Sequence, residues 1–450
     1  MQIPVPRPSK ARLLLFGFGD FAFNLYWQSL MLFLLFYYSD ALELPIRIAA
    51  TIFMIGSIWD GVANFIAGLL VDRRQSTRGY GALLVVGSVP LALTFMLAYL
   101  PPLLSGWPGI ATVFIAHLLF RTAYAAVNVP YLAMTARISV DSGDRAFVAG
   151  VRMLFGTLAA VLVALATVPL GEWLTGERDP VQAFLAAAAV FAGLGAVILA
   201  FVGATYREAA PPTPPPPMSV RAALASLAAN RAFVTLNLAM MAMIVAVTVL
   251  NKTILYYFKY VLADPSGGQL ALASMGIVSA FAVPLWMLLA RGVGLRGLWF
   301  IAAGGAIAGV ALFAAIDVGR SGVTQLFLVS VQAMIVGLNF VFWAMLPNTI
   351  EYGERETGLH VEGAVFGVAA LLQRIAIGVA TAILGWTFDS AGFVANAQQG
   401  DAALQAMRWT VTIIPLGFFA LSCAAMFVNP LGRGTHRRVL RDLEAEAEPA

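Results

Sequence analysis

Charged residues, cysteine and histidine are all scarce in this sequence. Only 11% of the 450 residues are charged, against roughly 25% in a soluble domain, which excludes a water-soluble globular protein. The one cysteine, Cys423, excludes an intrachain disulfide and a cysteine-cluster metal site. The three histidines show no ligand spacing, and no nucleophile–base pair stands out. We therefore expect no enzyme, no metal centre and no cofactor.

Apolar residues, by contrast, make up 60% of the chain. Runs of about 20 apolar residues, long enough to cross ~30 Å of hydrocarbon, recur along its whole length. Such runs must be helices, because only a helix satisfies its own backbone inside a bilayer. We predict an all-α polytopic membrane protein with 12 transmembrane helices, at 12–38, 46–71, 80–100, 109–136, 147–169, 181–206, 232–260, 270–290, 297–317, 324–350, 363–387 and 405–428.

The segments that connect these spans differ in basic residues. With both termini inside, the inner segments hold about 18 arginines and lysines and the outer segments about five. The positive-inside rule therefore predicts cytoplasmic N- and C-termini. It also accounts for the net charge of +4 without a nucleic-acid partner.

A proline-rich stretch, AAPPTPPPPMS (209–219), separates the sixth span from the seventh. Its six prolines favour an extended linker and forbid a helix. Two six-helix bundles joined by such a linker are typical of major-facilitator carriers, whose substrate site lies between the halves. Because no strong internal repeat is evident, this layout depends on the span count and the linker. We predict an N-terminal bundle over 1–206, a cytoplasmic linker over 207–231, a C-terminal bundle over 232–428 and a cytoplasmic tail over 429–450.

Ionisable and amide side chains recur inside several spans, often at helical spacing. Such residues are costly in a bilayer and usually face a cavity or a partner. They lie on the first span (Asp20, Asn24 and Gln28, with Trp27 beside them), the second (Asp60, Asn64), the fourth (Arg121, Tyr124, Asn128), the fifth (Arg152), the seventh (Asn251, Lys252) and the eleventh (Gln373, Arg374).

The charges inside the spans do not balance. Two carboxylates, Asp20 and Asp60, stand against four cations, and arginine stays protonated in proteins. Either a loop carboxylate such as Glu351 closes the balance, or the substrate brings negative charge. Arg121 is one possible structural partner for Asp20. The four cations are Arg121, Arg152, Lys252 and Arg374.

The segment after the second span, GLLVDRRQSTRG (68–79), resembles the loop 2–3 signature of major-facilitator carriers. Gly68 would allow a close helix contact. Asp72 and Arg73 could form charge-assisted bonds to helix ends and hold the cytoplasmic side in one state. We predict a gating role for these three residues.

Three stretches resemble the glycoside–pentoside–hexuronide:cation symporter family: GSIWDGVAN (56–64), NVPYLAMTARISVDSGDRAFVAGVRM (128–153) and EYGERETGLHVEG (351–363). The FGFGDFAFNLYWQ start (16–28) and YYFKY (256–260) extend the similarity to both halves. The resemblance implies a cation-coupled sugar or glycoside symporter that works by alternating access.

Residue by residue, the resemblance makes Asp60 the cation-site carboxylate. It places Asn64 where the family has a second carboxylate and Ala125 where the family has a hydroxyl. Protonation of Asp60 needs no ligand cage, so we favour H⁺ over Na⁺, with a sodium site at Asp60 and Asn64 as the alternative. Amides stand where the family has sugar-binding acids, and Arg374 stands where the family typically has a lysine. These departures argue against neutral galactosides and leave open uronides, other acidic glycosides or non-sugar anions. The predicted substrate-binding residues are Asn24, Trp27, Gln28, Tyr124, Asn128, Arg152, Gln373 and Arg374.

These inferences predict a multi-pass monomer in a bacterial inner membrane, with a small-molecule substrate and membrane lipids as partners. Apart from the coupling ion, no cofactor is expected. Two other functions remain open from the sequence. One is a carrier of amphipathic anions such as lysophospholipids, and the other is a receptor or scaffold that has lost transport.

Overall fold

A computed structural model describes residues 8–73, 80–139, 142–176, 179–206, 220–316, 319–359 and 361–432. Within these ranges every regular element is a helix. The chain divides into two compact units, each described by itself below. The first contains Met1–Pro215 with Val394–Ala397, and the second contains Pro216–Phe393 with Gln398–Ala450.

The first unit is a bundle of long helices preceded by two short ones. Two π-helical segments, Leu30–Leu34 and Tyr37–Ala41, follow the short helices. The α-helices are α1 (Lys10–Gly17), α2 (Gly19–Ser29), α3 (Ile46–Arg73), α4 (Tyr80–Ala98), α5 (Gly106–Arg137), α6 (Ser142–Thr175) and α7 (Pro180–Thr205).

The second unit begins inside the predicted linker, which the structure describes only from residue 220 onward. The proline-rich stretch 209–219 lies outside the described residues, so its extended conformation stays a prediction, whereas the linker is helical from Val220 to Ala229. Here the α-helices are α8 (Val220–Ala229), α9 (Arg231–Tyr256), α10 (Pro265–Val293), α11 (Leu295–Ile316), α12 (Ser321–Met345), α13 (Asn348–Thr357), α14 (Glu362–Ser390), α15 (Asp401–Val411) and α16 (Ile413–Phe427).

Eleven helical segments in the described ranges are long and apolar enough to cross a membrane. The predicted first span, 12–38, is absent from them because it is built from shorter pieces. Phe18 ends α1, α2 begins at the next residue, and the two π-helical segments follow. The prediction of an all-α polytopic membrane protein is confirmed. The last predicted span, 405–428, is also interrupted, between α15 and α16 at Thr412.

Two glycines flank the break in the first span, where neighbouring helices come very close. A Cβ atom on Gly17 would lie 2.5 Å from Val151 Cγ1 of α6. One on Gly19 would lie 2.7 Å from the ring of Tyr131 of α5. The sequence FGFGDF therefore brings Asp20 directly against α5 and α6.

A short repeat occurs once in each unit, although no strong repeat was evident in the sequence. Tyr37, Leu42 and Pro45 recur 220 positions later as Tyr257, Leu262 and Pro265. Both copies form a π-helical segment, with the amide of the leucine donating to the carbonyl of the tyrosine at 2.9 and 3.1 Å.

The residue after each leucine of this repeat has a positive φ, 55° at Glu43 and 53° at Ala263. In the second copy Asp264 then caps α10 by accepting a bond from the Gly267 amide at 3.0 Å. That bond, followed by those from the Ser321 and Ser266 hydroxyls, lowers the pKa of Asp264. The chain therefore leaves the first predicted span of each bundle by the same turn.

Candidate functional site

Among the described residues, two largely buried ion pairs join helices of the first unit, and one of them connects α2 to α6. The Arg152 guanidinium contacts both oxygens of Asp20. It also donates to Thr135 Oγ1 at 3.0 Å, and Tyr131 Oη lies 3.0 Å from Asp20 Oδ2. The Arg152 and Asp20 side chains are only 19% and 15% exposed. In this structure the Arg152 guanidinium binds the Asp20 carboxylate. Its contact with substrate stays a prediction.

The expected pairing of Asp20 with Arg121 is therefore wrong. Asp20 contacts α5 at Tyr131, ten residues beyond Arg121 on that helix. At 1.5 Å per residue this separation is about 15 Å along the axis, too far for a salt bridge.

Arg121 instead forms the second ion pair, with Asp60 of α3. Arg121 Nη1 lies 3.6 Å from Asp60 Oδ2, and both side chains are buried. Arg121 Nη2 donates to Ser57 Oγ at 3.3 Å. The guanidinium also lies 5.4 Å from the ring centre of Trp27 and 5.2 Å from that of Phe53. Asp60 is thus a buried carboxylate with a cation beside it.

His117 belongs to this cluster, although the sequence analysis set it aside. It is fully buried one turn before Arg121, and its Nε2 accepts a bond from Arg121 Nε at 3.3 Å. Because arginine can only donate, the imidazole carries its proton on Nδ1, 3.3 Å from Tyr38 Oη. The i, i+4 spacing to Arg121 is the sequence signal that could have identified it.

The predicted substrate residues of α2 and α5 form an amide-rich, aromatic face. Asn24 donates to the carbonyl of Asp20 at 2.9 Å, and Gln28 donates to Asn24 Oδ1 at 3.3 Å. The rings of Trp27 and Tyr124 are 5.6 Å apart. Amides that donate and accept, next to aromatic rings, suit a hydroxyl-rich ligand.

Asn128 lies one turn beyond Tyr124 and is half-buried. None of the hydrogen bonds among the described residues involves its side chain. Of the predicted amide ligands in this unit, Asn128 is the one that its own helix does not engage.

The other predicted substrate residues, Gln373 and Arg374, lie on α14 of the second unit, which packs against α9 with Asn251 and Lys252. Gln373 Nε2 and Asn251 Oδ1 are buried without a hydrogen-bond partner among the described residues. The same holds for Oε2 of Glu351, the carboxylate that one of the two sequence-based alternatives assigns to the charge balance. Buried polar atoms of this kind are usually satisfied, so the donor of Gln373 is suited to a ligand acceptor.

The predicted gating residues lie at the end of α3. An added Cβ at Gly68 would meet no described atom within 4 Å, so the expected close helix contact is absent in this conformation. The side chains of Asp72 and Arg73 lie outside the described part of the chain. Asn64 Nδ2 donates to the Asp60 carbonyl at 2.7 Å, so its amide nitrogen is engaged by the backbone. Over the described ranges, no group of three or more His, Cys, Asp or Glu is placed to hold a metal.

Enlarging Gly156 of α6 should disturb the amide face. A Cβ there would lie 3.0 Å from Asn24 Nδ2, so Gly156→Val must displace the amide. If Asn24 contributes one hydrogen bond to substrate, the KM for uptake rises roughly 3- to 10-fold. The matched control is Gly150→Val on the same helix, where an added Cβ meets no described atom within 4 Å. An equal KM in both variants would remove Asn24 from the site.

The family described as MFS/sugar transport protein matches residues 15–433. The chain is 26% identical to the inner membrane symporter YicJ of Escherichia coli, covering 90% of this chain and 88% of that one. It is also 26% identical to a putative sulfoquinovose importer of Salmonella typhimurium, over 91% and 87% of the two chains.

The fold has solved counterparts. A bacterial homologue of the human lysosomal transporter Spinster, inward-facing and unoccupied, matches with a TM-score of 0.67 at 13% identity. The match covers 97% of this chain and 99% of that one. Together with the helical content, this likeness confirms the major-facilitator fold.

Proposed function

Because the chain belongs to the MFS/sugar transport protein family, we propose that it is a symporter of an acidic sugar or glycoside, driven by protons. It is a multi-pass membrane transporter and not an enzyme. Relatives named as a symporter and as a putative importer of sulfoquinovose, a sulfonated and therefore anionic sugar, support this choice.

The observation that carries the acidic substrate is the distribution of charge inside the spans. The two span carboxylates, Asp20 and Asp60, each lie beside an arginine of the first unit. Away from the span ends, the four cations therefore outnumber the carboxylates by two, whichever local contacts Lys252 and Arg374 make. Arg374 can bind a carboxylate, sulfonate or phosphate with two parallel bonds. An anionic solute would balance this excess.

The preference for protons follows from the surroundings of Asp60. It is fully buried, and the neighbouring polar groups give few oxygen ligands for sodium. Asn64 engages the backbone with its amide nitrogen, and Ala125 has no side-chain oxygen. A proton needs only the carboxylate, so protonation of Asp60 would compensate its charge when substrate binds.

In the proposed cycle the two halves alternate between outward- and inward-open states around the bound solute. The solute shifts this equilibrium only by its different affinities for the two states. Gly68, Asp72 and Arg73 would act at the cytoplasmic gate, and both termini would face the cytoplasm of a bacterial inner membrane. We further propose that a monomer carries out transport.

An Asp60→Asn variant tests the coupling. In proteoliposomes with an inward proton gradient, the native protein should accumulate radiolabelled sulfoquinovose or a glucuronide above equilibrium, whereas the variant should only equilibrate it. Asp401→Asn, which alters an exposed carboxylate at the start of α15, should behave like the native protein. Undiminished accumulation by Asp60→Asn would refute the role of Asp60.

The same assay separates the other functions. A panel containing neutral galactosides, acidic glycosides and a lysophospholipid reports the substrate class. Uptake of the lysophospholipid alone would favour a carrier of amphipathic anions. Absence of uptake and of thermal stabilisation by every compound would favour a receptor or scaffold.

A further inference from the structure

The ion pair between Asp60 and Arg121 lies where the family resemblance places a coupling cation. We propose that Arg121 is a tethered cation that occupies this position, so that the carrier does not bind sodium. The inference rests on the proposed function only in taking Asp60 as the coupling carboxylate. It concerns which cation neutralises Asp60 in the substrate-free protein.

The first step is electrostatic. Arg121 Nη1 lies 3.6 Å from Asp60 Oδ2, and neither residue is exposed. In such a place a carboxylate is tolerated only with a compensating cation. The guanidinium provides that charge permanently, because arginine is not deprotonated in proteins. A sodium ion added beside it would bring a second positive charge into a buried site.

The second step concerns the available oxygen atoms. A sodium ion at Asp60 would need further oxygen ligands from α3 or α5. Ser57 Oγ, one turn before Asp60 on α3, accepts a bond from Arg121 Nη2 at 3.3 Å. Ala125, one turn after Arg121, offers only methyl hydrogens. Of these two positions, only Ser57 has a side-chain oxygen, and that oxygen accepts a bond from the guanidinium.

The third step is that the guanidinium is held in place. His117 Nε2 accepts from Arg121 Nε at 3.3 Å, and Tyr38 Oη lies 3.3 Å from the other imidazole nitrogen. The rings of Trp27 and Phe53 lie 5.4 and 5.2 Å from the guanidinium carbon. Cation–π contacts of this kind add most when the cation is desolvated. Together with Ser57, these four residues keep Arg121 at Asp60.

The position of Trp27 gives the arrangement a consequence for substrate binding. One face of the cluster is the Arg121–Trp27 contact, and the Trp27 ring in turn lies 5.6 Å from that of Tyr124 in the predicted substrate face. When Asp60 takes up a proton, its attraction for Arg121 is lost. The guanidinium charge then becomes available on the Trp27 side, where an anionic solute would be attracted.

The test measures sodium binding directly on the purified protein, without substrate. Thermal unfolding is followed in detergent with increasing NaCl or with choline chloride at equal ionic strength. The native protein should show the same Tm in both salts. Arg121→Gln leaves the Asp60 carboxylate without this cation, and sodium should raise its Tm by about 2–4 °C over choline.

Two further variants locate the effect. Asp60→Asn/Arg121→Gln removes both charges and should lose the sodium response. Arg47→Gln removes an exposed arginine at the start of the same helix α3 and should stay insensitive, like the native protein. If Arg121→Gln does not fold, Arg121→Met is used in its place, because methionine keeps an unbranched apolar side chain and removes the charge.

A higher Tm of the native protein in sodium than in choline would overturn the proposal, as would a folded Arg121 variant without a sodium response. Neither result bears on proton-driven uptake, which the Asp60→Asn transport assay measures separately. Failure of that assay with a confirmed sodium response in the Arg121 variant would leave the tethered cation in place and remove only the proton coupling.

Discussion

Replacement of Arg152 by glutamine is expected to lower the free energy of unfolding by about 3 kcal/mol. The substitution leaves the Asp20 carboxylate largely buried without its cation, and removing one partner of a buried ion pair costs 3–5 kcal/mol. We take the lower end of this range because the two side chains keep 19% and 15% of their exposure. Chemical unfolding in mixed micelles measures the loss.

The double variant Asp20→Asn/Arg152→Gln should recover most of that loss, because it replaces the pair with two neutral groups of similar shape. Arg47→Gln, at an exposed site on α3, should change stability by no more than about 0.5 kcal/mol. If the double variant is as unstable as Arg152→Gln, the contact with Asp20 is not the source of the stabilisation. Thr135 would then be the next partner to test.

Asn230 is expected to have the largest effect in the second unit. Its Oδ1 caps α9 by accepting from the Phe233 amide at 2.9 Å, and its Nδ2 donates to the buried Thr349 carbonyl at the start of α13 at 2.6 Å. Loss of the cap costs about 1 kcal/mol, and the unsatisfied carbonyl about 1–3 kcal/mol more. Asn230→Ala should therefore destabilise the protein by about 2–4 kcal/mol.

Asn230→Asp separates the two contributions. It keeps the capping oxygen and loses the donor to Thr349, so it should be intermediate between the native protein and Asn230→Ala. Thermal unfolding of the three proteins at neutral pH gives the order. Equal stability of the aspartate variant and the native protein would show that the bond to Thr349 contributes nothing.

The contacts of Asn230 also give a physical reason for part of the EYGERETGLHVEG motif, which was identified by resemblance to the family. Gly353 in EYGERETG packs against Asn230, since a Cβ there would overlap its amide nitrogen. Ser226 of α8 and Thr357 of α13 join the two short helices through hydroxyls 2.8 Å apart. Within the second unit, the motif therefore has a packing role in addition to any role in transport.

The sequence predicted the elements of the fold because apolar length decides what crosses a bilayer. It failed at the first span, where Gly17 and Gly19 allow contacts with Val151 and Tyr131 that no periodicity reveals. The π-helical ends were also missed, since the repeat shares only a few identical residues, such as Tyr37 and Tyr257, over a short stretch.

The sequence identified the charged residues of the site and assigned one pairing wrongly. The burial of Asp60 follows from its place in an apolar run, whereas its partner depends on which turns of α3 and α5 are adjacent. That adjacency is a tertiary property that the sequence does not show. The predicted partner of Arg121 was therefore Asp20, whereas the observed partner is Asp60. The spacing of the three histidines indicates only that they do not form a metal site. It does not reveal that His117 accepts a hydrogen bond from Arg121.

The turn that occurs in both units also gives a sequence offset, 220 residues, by which positions of the two halves can be aligned. At the same offset, Asp20 corresponds to Met240, Asn24 to Ile244 and Asp60 to Ala280. The second half thus has apolar side chains at these positions, which are occupied by acidic or amide side chains in the first half. The same local structure occurs twice, but only the first copy carries the carboxylates Asp20 and Asp60. Substitutions that alter energy coupling should accordingly concentrate in the first half of the chain, and the second half can change its ligand preferences with the ion chemistry intact.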